Sequence, residues 1–330
     1  MPKGLIILDS SAYELIYGDV LRAKIARRVN LVPELHTKES ITQNPEVLAD
    51  VEVIFSGWGA PVMDEAFLAS APKLRAVFYG AGSIKAMTPE AFWARNIAVT
   101  SAYAMNAVPV SEFTLASILL SLKRTWYYAL ETKRLGTYPA RVTPPGAYGS
   151  KVGLISFGMI GRLVRERLLP FDLEVWVYDP FLQPEQAAEL NVTLVSLDDI
   201  FTHCDVVSLH APWLKQTEGM IQGRHFELMK DGATFINTAR GAIVNEPEMT
   251  AVLARRPEIT ALLDVTWPEP PVEGSPLYSL PNVVLTPHIA GSQEKECRRM
   301  GQLMIDEFDR WSKGLPMRWA ISKEKAAILA

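Results

Sequence analysis

The feature that most constrains the fold is a glycine-containing turn between an apolar run and a helical pattern. The segment from Lys151 to Gly161 reads KVGLISFGMIG, and a helical pattern follows it from Arg162 to Leu169. A second apolar run, Leu173 to Tyr178, then ends in Asp179. A helix placed between two such runs is typical of parallel strands, because these need a long crossover connection. The sequence therefore predicts an α/β unit.

Similar short apolar runs occur on both sides of this unit, with helical segments between most of them. A chain of 330 residues is long enough for two domains of ~150 residues each. We therefore predict two Rossmann-like domains, each with a doubly wound parallel sheet. The smaller domain is discontinuous, since the last helix, Ser292 to Lys313, has no strand of its own to cover. The predicted domains are 1–103 with 291–330, and 104–290. The predicted strands are 5–8, 51–55, 74–79 and 97–100 in the first domain, and 152–155, 173–178, 206–209, 233–236, 261–265 and 283–285 in the second.

Composition excludes several classes of protein. The net charge of −4 gives no basic surface for nucleic acid. The two cysteines, Cys204 and Cys297, are far apart and match neither a disulfide framework nor a metal site. The apolar run Leu5 to Leu8 is too short for a signal peptide, and we find no stretch close to the ~20 apolar residues of a membrane span. The expectation is a cytoplasmic protein that binds neither a membrane nor nucleic acid nor a metal.

The glycine turn predicts a dinucleotide site. Gly158 and Gly161 flank Met159 and Ile160 at the start of the helix, where free N–H groups bind a pyrophosphate. Ser156 stands where the first glycine is expected, so binding is predicted to be weakened but specific. Asp179 lies 21 positions after Gly158, close to the ~20 expected for the acid that binds the ribose. Its charge would repel a 2′-phosphate, and this favours NAD over NADP. By itself such a turn is equally a structural corner.

Three later strand ends carry polar residues. Arg240 follows the run 233–236, Glu269 comes shortly after 261–265, and His288 follows 283–285. Carboxyl ends of parallel strands meet at one edge of a sheet, so the three side chains are expected to converge. A guanidinium binds a carboxylate in bidentate fashion, and a carboxylate beside an imidazole stabilises its protonated form. Taken one at a time, Arg240 could link domains, while Glu269 and His288 could be surface residues.

These motifs resemble the D-isomer-specific 2-hydroxyacid dehydrogenase family. The resemblance rests on Gly153 to Gly161, Asp179-Pro180, Leu209 to Pro212 with Thr217, Asn237 to Gly241, Asp264 to Pro270, and Pro287 to Gly291. It implies that Arg240 binds the substrate, that His288 is the acid/base, that Glu269 is its partner and that Asp264 holds the nicotinamide amide. The further residues it places at the NAD site are His210, Pro212, Thr217, Thr238, Ala239, Arg240, His288 and Gly291.

The first domain resembles the family less specifically. Ala81 and Gly82 occupy the place of backbone groups that bind the substrate carboxylate, whereas Ser83 replaces a common acidic residue. In the loop after the strand 51–55, Trp58 lies between two glycines and no lysine or arginine is present. A phosphate there would lack a partner, so an unphosphorylated acid is favoured and 3-phosphoglycerate is the alternative. Trp58 is equally well interpreted as a core anchor. The irregular arm after the helix Val108 to Arg124 implies a homodimer.

The predicted function is hydride transfer between NAD and a small 2-hydroxy or 2-oxo acid in a cleft between the domains. A methyltransferase could use a similar glycine turn, but it gives no role to Arg240, Glu269 and His288 together. A non-catalytic, NAD-sensing corepressor is the alternative from another class. Binding of NADH without turnover of any 2-oxo acid would favour it.

Overall fold

The computed structural model describes residues 1–329, which form two compact units. Unit 1 comprises Met1–Asn106 and the chain from Ser292 onward, and unit 2 comprises Ala107–Gly291. The predicted domain boundaries lie three residues earlier at the first crossing and one residue earlier at the second. Each unit has its own all-parallel sheet. The α/β fold class with two Rossmann-like domains is thereby confirmed.

The strands are short and mostly buried, as expected for parallel sheets that are covered on both faces. They are β1 Lys3–Ile7, β2 Asn30–Leu31, β3 Val53–Ser56, β4 Ala76–Tyr79, β5 Ala98–Ser101, β6 Lys151–Ile155, β7 Glu174–Tyr178, β8 Thr193–Leu194, β9 Val206–Leu209, β10 Thr234–Asn237, β11 Thr260–Leu263 and β12 Val283–Leu285.

The helices alternate with the strands along most of the chain, and three short 3-10 helices, Pro45–Leu48, Gly241–Ile243 and Pro276–Tyr278, occur in the connections. The α-helices are α1 Ser10–Ile16, α2 Gly18–Ala26, α3 Lys38–Gln43, α4 Glu65–Ser70, α5 Glu90–Ala94, α6 Tyr103–Ser121, α7 Thr125–Leu135, α8 Met159–Leu168, α9 Pro184–Glu189, α10 Leu197–His203, α11 Gly223–Leu228, α12 Glu246–Arg255, α13 Lys295–Ser312 and α14 Lys323–Ile328.

In unit 1 the strand order is β2-β1-β3-β4-β5, which places the switch in winding direction between β1 and β3. Helix α13 packs on this sheet, as expected for a helix that has no strand of its own. Its Phe308 contacts Phe55 and Phe78, with ring centroids 5.6 and 5.5 Å apart. The predicted return of the last helix to the first domain is therefore observed.

In unit 2 the order is β12-β11-β10-β9-β6-β7-β8, the doubly wound order with a seventh strand added. The winding reverses between β6 and β9, and apolar clusters cover both faces. Six of these strands are predicted by the sequence. The seventh, β8, is only two residues long and lies at the edge, so its apolar signal is too short to detect.

One helix prediction is wrong in detail. The long helix predicted from Val108 to Arg124 begins earlier and ends at Ser121. Arg124 then adopts a left-handed backbone (φ 52°), and α7, which the sequence analysis missed, starts at the next residue.

Helix α6 also corrects the expectation about membrane spans. By length and composition alone this 19-residue helix is apolar enough to cross a membrane, whereas no such stretch was expected. Half of the apolar window is buried within the structure, and a core helix of a soluble protein passes the same test. The helix also carries Pro109 and the buried polar residues Ser111, Thr114 and Ser117.

Candidate active site

The carboxyl ends of three neighbouring strands carry the predicted catalytic residues. β10, β11 and β12 are adjacent in the sheet of unit 2. Arg240 follows the end of β10, Glu269 lies in the segment after β11, and His288 follows β12. Parallel strands end at the same edge, and the structure brings these three loops together there.

His288 and Glu269 form a direct pair. The Nδ1 atom of His288 lies 2.7 Å from Oε1 of Glu269, and the two side chains are 46% and 41% exposed. The bond occupies one ring nitrogen and leaves Nε2 for another partner. A ring fixed in this way can hold and release a proton at Nε2, which is the geometry of general acid/base catalysis.

His288 has a left-handed backbone with φ of 54°. Such a conformation costs a non-glycine residue about 1–3 kcal/mol and persists only where the surroundings enforce it. Asp264 provides that restraint. Its carboxylate accepts hydrogen bonds from Thr286 Oγ1 (2.6 Å) and from the N–H groups of Ile289 and Ala290 (2.9 Å each), and its carbonyl oxygen accepts one from the His288 N–H (3.0 Å). Asp264 therefore holds the histidine loop, while its contact with the nicotinamide amide stays a prediction.

Arg240 is partly buried. Its Nη1 donates to the Ala239 carbonyl oxygen at 2.6 Å, and the Asn237 amide accepts from the Ala239 N–H and donates to the Arg240 carbonyl oxygen. Burial lowers the pKa of Arg240, whereas the negative charge of Glu269 raises it. A guanidinium remains charged even after such a shift, and it can attract an anionic substrate more strongly than a fully exposed cation would, because water is partly excluded.

The close packing around Gly241 explains why a glycine follows Arg240. A Cβ atom built on Gly241 would lie 2.0 Å from the carbonyl carbon and 2.1 Å from the carbonyl oxygen of Thr266. The loop of Arg240 thus packs directly on the backbone that leads to Glu269, and any side chain at this position would separate the two loops.

The start of α8 fits the pyrophosphate of a dinucleotide. Among residues 1–329 no side chain caps this helix, and a Cβ on Gly158 would meet no atom within 4 Å, so the backbone there borders open space. The first turn contains Met159, Ile160 and Gly161. A Cβ on Gly161 would lie 2.5 Å from the Ser156 carbonyl oxygen, which requires glycine for the close approach of helix and loop.

Ser156, the departure from the glycine pattern, has a φ of 74°. Ser156→Gly is therefore expected to bind NADH with equal or higher affinity and to change the free energy of unfolding by no more than about 1 kcal/mol, because glycine adopts this conformation without steric cost. Titration of NADH fluorescence and thermal melts measure the two quantities. Ser156→Val is the matched control. It should lower both the affinity for NADH and the free energy of unfolding, since a β-branched residue is strained in this backbone conformation. Loss of NADH binding in Ser156→Gly would show that the serine hydroxyl makes a required contact.

Asp179 and His210 border the same loop. The Asp179 carboxylate accepts hydrogen bonds from the N–H groups of Phe157 (2.6 Å) and Phe181 (2.8 Å), which places it at the end of β7 beside the glycine turn. His210 is buried, and its Nε2 lies 3.0 Å from Ser208 Oγ while its Nδ1 has no partner among the described residues. Burial lowers the pKa of His210 to about 3, so the ring is neutral at physiological pH. An unpaired buried nitrogen at this edge is suited to a ligand that brings its own polar group.

The other residues predicted at the cofactor lie on the same edge. Thr217 donates from its hydroxyl to the Pro212 carbonyl oxygen at 2.6 Å and so closes the loop after β9. Thr238 and Ala239 are buried after β10, with the Thr238 hydroxyl 3.4 Å from that of Thr114. Gly291 is the last residue of unit 2.

In unit 1 the predicted substrate residues follow β3 and β4. Trp58 is 37% exposed, so its interpretation as a core anchor is wrong, and its carbonyl oxygen accepts from the Asp9 N–H at 3.0 Å. Ala81 is buried and its carbonyl oxygen accepts from Ala102 N–H, whereas a Cβ on Gly82 would meet only the Asn106 amide, at 4.0 Å. Within residues 1–329 the N–H groups of Ala81 and Gly82 donate no hydrogen bond, as required of groups reserved for a ligand.

Comparison with known proteins identifies the family. Residues 116–290 match the family model for the D-isomer specific 2-hydroxyacid dehydrogenase, NAD binding domain. The chain belongs to the D-isomer specific 2-hydroxyacid dehydrogenase family. NAD is the cofactor of this family, whose members are oxidoreductases acting on CH–OH groups. The predictions of the family and of NAD as its cofactor are thereby confirmed.

Relatives within the family differ in length and substrate. A D-3-phosphoglycerate dehydrogenase from Archaeoglobus fulgidus is 30% identical over 89% of this chain and 53% of its own length. An (S)-sulfolactate dehydrogenase from Chromohalobacter salexigens is 32% identical over 75% of this chain and 81% of its own. The chain thus spans about half the length of the phosphoglycerate dehydrogenase. A phosphoglycerate oxidoreductase from Rhizobium etli shares the fold with a TM-score of 0.81, at 24% identity over 98% of this chain and 99% of its own.

Sequence reasoning missed three residues that the structure places beside the predicted catalytic pair. The N–H of Trp267 donates to Glu246 Oε2 at 2.9 Å, and the rings of Trp267 and Trp213 meet with centroids 4.8 Å apart. Glu246 lies five residues beyond Gly241, and Trp213 directly follows Pro212. Their closeness to predicted site residues was the only available signal.

Proposed function

We propose that the chain reduces a small, unphosphorylated 2-oxo acid to the D-2-hydroxy acid with NADH, and catalyses the reverse reaction with NAD. The observation that carries this proposal is the 2.7 Å pair of His288 and Glu269 at the same sheet edge as the partly buried Arg240. An acid/base and a fixed cation at the end of a dinucleotide-binding sheet are what carbonyl reduction requires.

Each side chain has a distinct task in this reaction. His288 donates the proton that the substrate oxygen needs as negative charge develops there, and Glu269 stabilises the protonated ring through Nδ1. Arg240 binds the substrate carboxylate and offsets the charge on the reacting oxygen. NAD, when bound, supplies or accepts the hydride.

The residues around α8 fit this cofactor. The uncapped helix start at Gly158 would hold the pyrophosphate and Asp179 the ribose hydroxyls. The Nδ1 of His210, which has no partner in the described part of the chain, is a further group that a cofactor can satisfy. The acid at the end of β7 disfavours the 2′-phosphate of NADP by like-charge repulsion.

The preference for an unphosphorylated acid rests on the loop that follows β3. This segment, residues 56–61, contains no lysine or arginine, and its Trp58 side chain is exposed and so available for an apolar substrate group. A phosphate held without a cationic partner would be poorly compensated.

We expect kcat/KM to be higher for glyoxylate, hydroxypyruvate or a 2-oxo acid with an apolar side chain than for phosphohydroxypyruvate. Trp58→Ala should change the ranking among these acids more than the affinity for NADH, because the side chain lies in the substrate loop. Initial rates of NADH oxidation, measured for each acid and at several NADH concentrations, give the ranking of the acids and the apparent affinity for NADH. Trp93→Phe, a change at a tryptophan beside Phe92 in the core of unit 1, is the control. A clear preference for the phosphorylated acid would contradict this assignment. NADH binding without turnover of any 2-oxo acid would instead indicate a non-catalytic NAD sensor.

An acid with a second anionic group is the other candidate substrate. The relatives described above are named for phosphoglycerate and sulfolactate, each of which carries such a group. The same panel of rates decides between an unphosphorylated acid and an acid with a second anionic group.

We further propose a cytoplasmic homodimer. Helix α7 has no buried residue, and Leu130, Leu135 and Tyr138 expose apolar surface on it and on the arm that follows. A groove of about 580 Å³ lined by α7, Val142 and the loops before β11 and β12 lies beside this surface. A second copy of the chain would cover these apolar side chains.

A further inference from the structure

The position of Glu269 depends on the short backbone segment that carries it. This segment, residues 266–270, leaves the edge of the sheet after β11 and has Pro268 and Pro270 on either side of Glu269. The Glu269 side chain is 41% exposed, and its hydrogen bond is to His288. Since packing does little to fix an exposed side chain, contacts made by the neighbouring backbone must place the carboxylate.

Glu246 makes one such contact. Its Oε2 accepts the Trp267 N–H at 2.9 Å, two residues before Glu269. Glu246 is the first residue of α12, and that helix is fixed at its start by Asn245, whose side chain accepts the Glu248 N–H. Burial raises the pKa of Glu246, while the bond from Trp267 lowers it. Glu246 is partly buried where it makes this contact.

The indole rings make a second contact. The Trp267 ring meets Trp213 at 4.8 Å with an interplanar angle of 65°, an edge-to-face arrangement that holds both rings. Trp213 belongs to the loop of Pro212 and Thr217, and its Nε1 donates to Glu218 at 3.2 Å. The Glu269 segment is thereby joined to the loop after β9 on one side and to α12 on the other.

We propose that Glu246 is a positioning residue for the catalytic pair: by holding the Trp267 backbone, together with the Trp213 ring, it places the Glu269 carboxylate against His288. This inference rests on the proposed function, because it assigns to Glu246 an effect on a step that Glu269 and His288 perform. A small displacement of a catalytic group is sufficient for a large loss of rate.

Three single variants test the contact. Glu246→Ala should lower kcat by roughly 10- to 100-fold with the NADH dissociation constant unchanged, since the carboxylate of Glu269 loses its placement. Glu246→Gln keeps an oxygen acceptor for the Trp267 N–H and should restore kcat close to the wild-type value. Glu248→Ala is the matched control on the same helix: it removes contacts with Gly223 and Asn245, but none with Trp267, and should leave kcat unchanged.

A double-mutant cycle with Glu269→Gln separates positioning from general loss of structure. If Glu246 acts through Glu269, adding Glu246→Ala to Glu269→Gln causes no further loss of kcat. Additive losses, or equal losses in Glu246→Ala and Glu246→Gln, would overturn the inference. Full activity of Glu269→Gln alone, or no turnover by the wild type, would instead contradict the proposed function. Melting temperatures of all variants identify any that do not fold. The ring contact is tested in the same way: Trp213→Leu, which removes the aromatic ring, should lower kcat, whereas Trp213→Phe, which keeps one, should retain it.

Discussion

Replacement of His288 by glutamine is expected to lower kcat by roughly 10²–10⁴-fold, because the reaction loses its proton donor. Glutamine is similar in size and can still bond to Glu269, so the loop that Asp264 holds should keep its shape. NADH affinity is expected to stay close to that of the wild type. Single-turnover oxidation of NADH, followed by absorbance, measures the rate, and fluorescence titration measures the affinity.

The control for this variant is His203→Gln, at an exposed histidine that packs against Trp176 outside the site. It should retain wild-type kcat. If His288→Gln kept more than about a tenth of the activity, a loss too small for the removal of a general acid, the assignment of His288 would be wrong.

Replacement of Arg240 is expected to reduce kcat/KM by roughly 10²–10³-fold, the loss typical when a fixed donor to a developing negative charge is removed. Arg240→Gln removes the charge, and Arg240→Lys keeps a charge but not the planar pair of donors. Both should be strongly impaired, with glutamine the worse. Steady-state kinetics against the 2-oxo acid that is turned over fastest give the comparison.

An exposed arginine provides the reference. Arg224→Gln removes a surface pair with Asp198 and should leave kcat/KM unaltered. Near-normal activity of Arg240→Gln would show that another group binds the substrate. A large fall in melting temperature would indicate that the partly buried guanidinium chiefly stabilises the fold.

The sequence was sufficient to predict that Arg240, Glu269 and His288 meet at one edge of the sheet, because each one follows a strand signal. Arg240 and His288 come directly after buried apolar runs. Parallel pairing brings the ends of such runs together regardless of the conformation of the connecting loops. The place of Asp179 at the end of β7 follows from the same signal. The prediction required only the order of elements, not the conformation of any loop.

What the sequence did not reveal are contacts made by loops and short edges. Glu246 looks like an ordinary acidic residue in the first turn of a helix, and its bond to the Trp267 backbone depends on how two loops fold. Trp213 and Trp267 are 54 positions apart in the sequence, with nothing to indicate that their rings meet. The break at Arg124 was missed because a left-handed residue other than glycine, asparagine or aspartate leaves little signal.

The segment after α13 has a consequence for the handling of this protein. Strand β5 lies at the edge of the unit 1 sheet, and Ala320 bridges it at Thr100 in antiparallel fashion, while Ile321 N–H donates to Val99. The buried Glu307 accepts the N–H groups of Arg318 and Trp319 and thereby anchors this segment. Exposed strand edges are the usual starting points of aggregation. Residues 318–321 therefore protect the protein against aggregation by covering this edge. A shortened version that ended before them would expose the edge of β5 and leave the buried carboxylate of Glu307 without these hydrogen-bond donors.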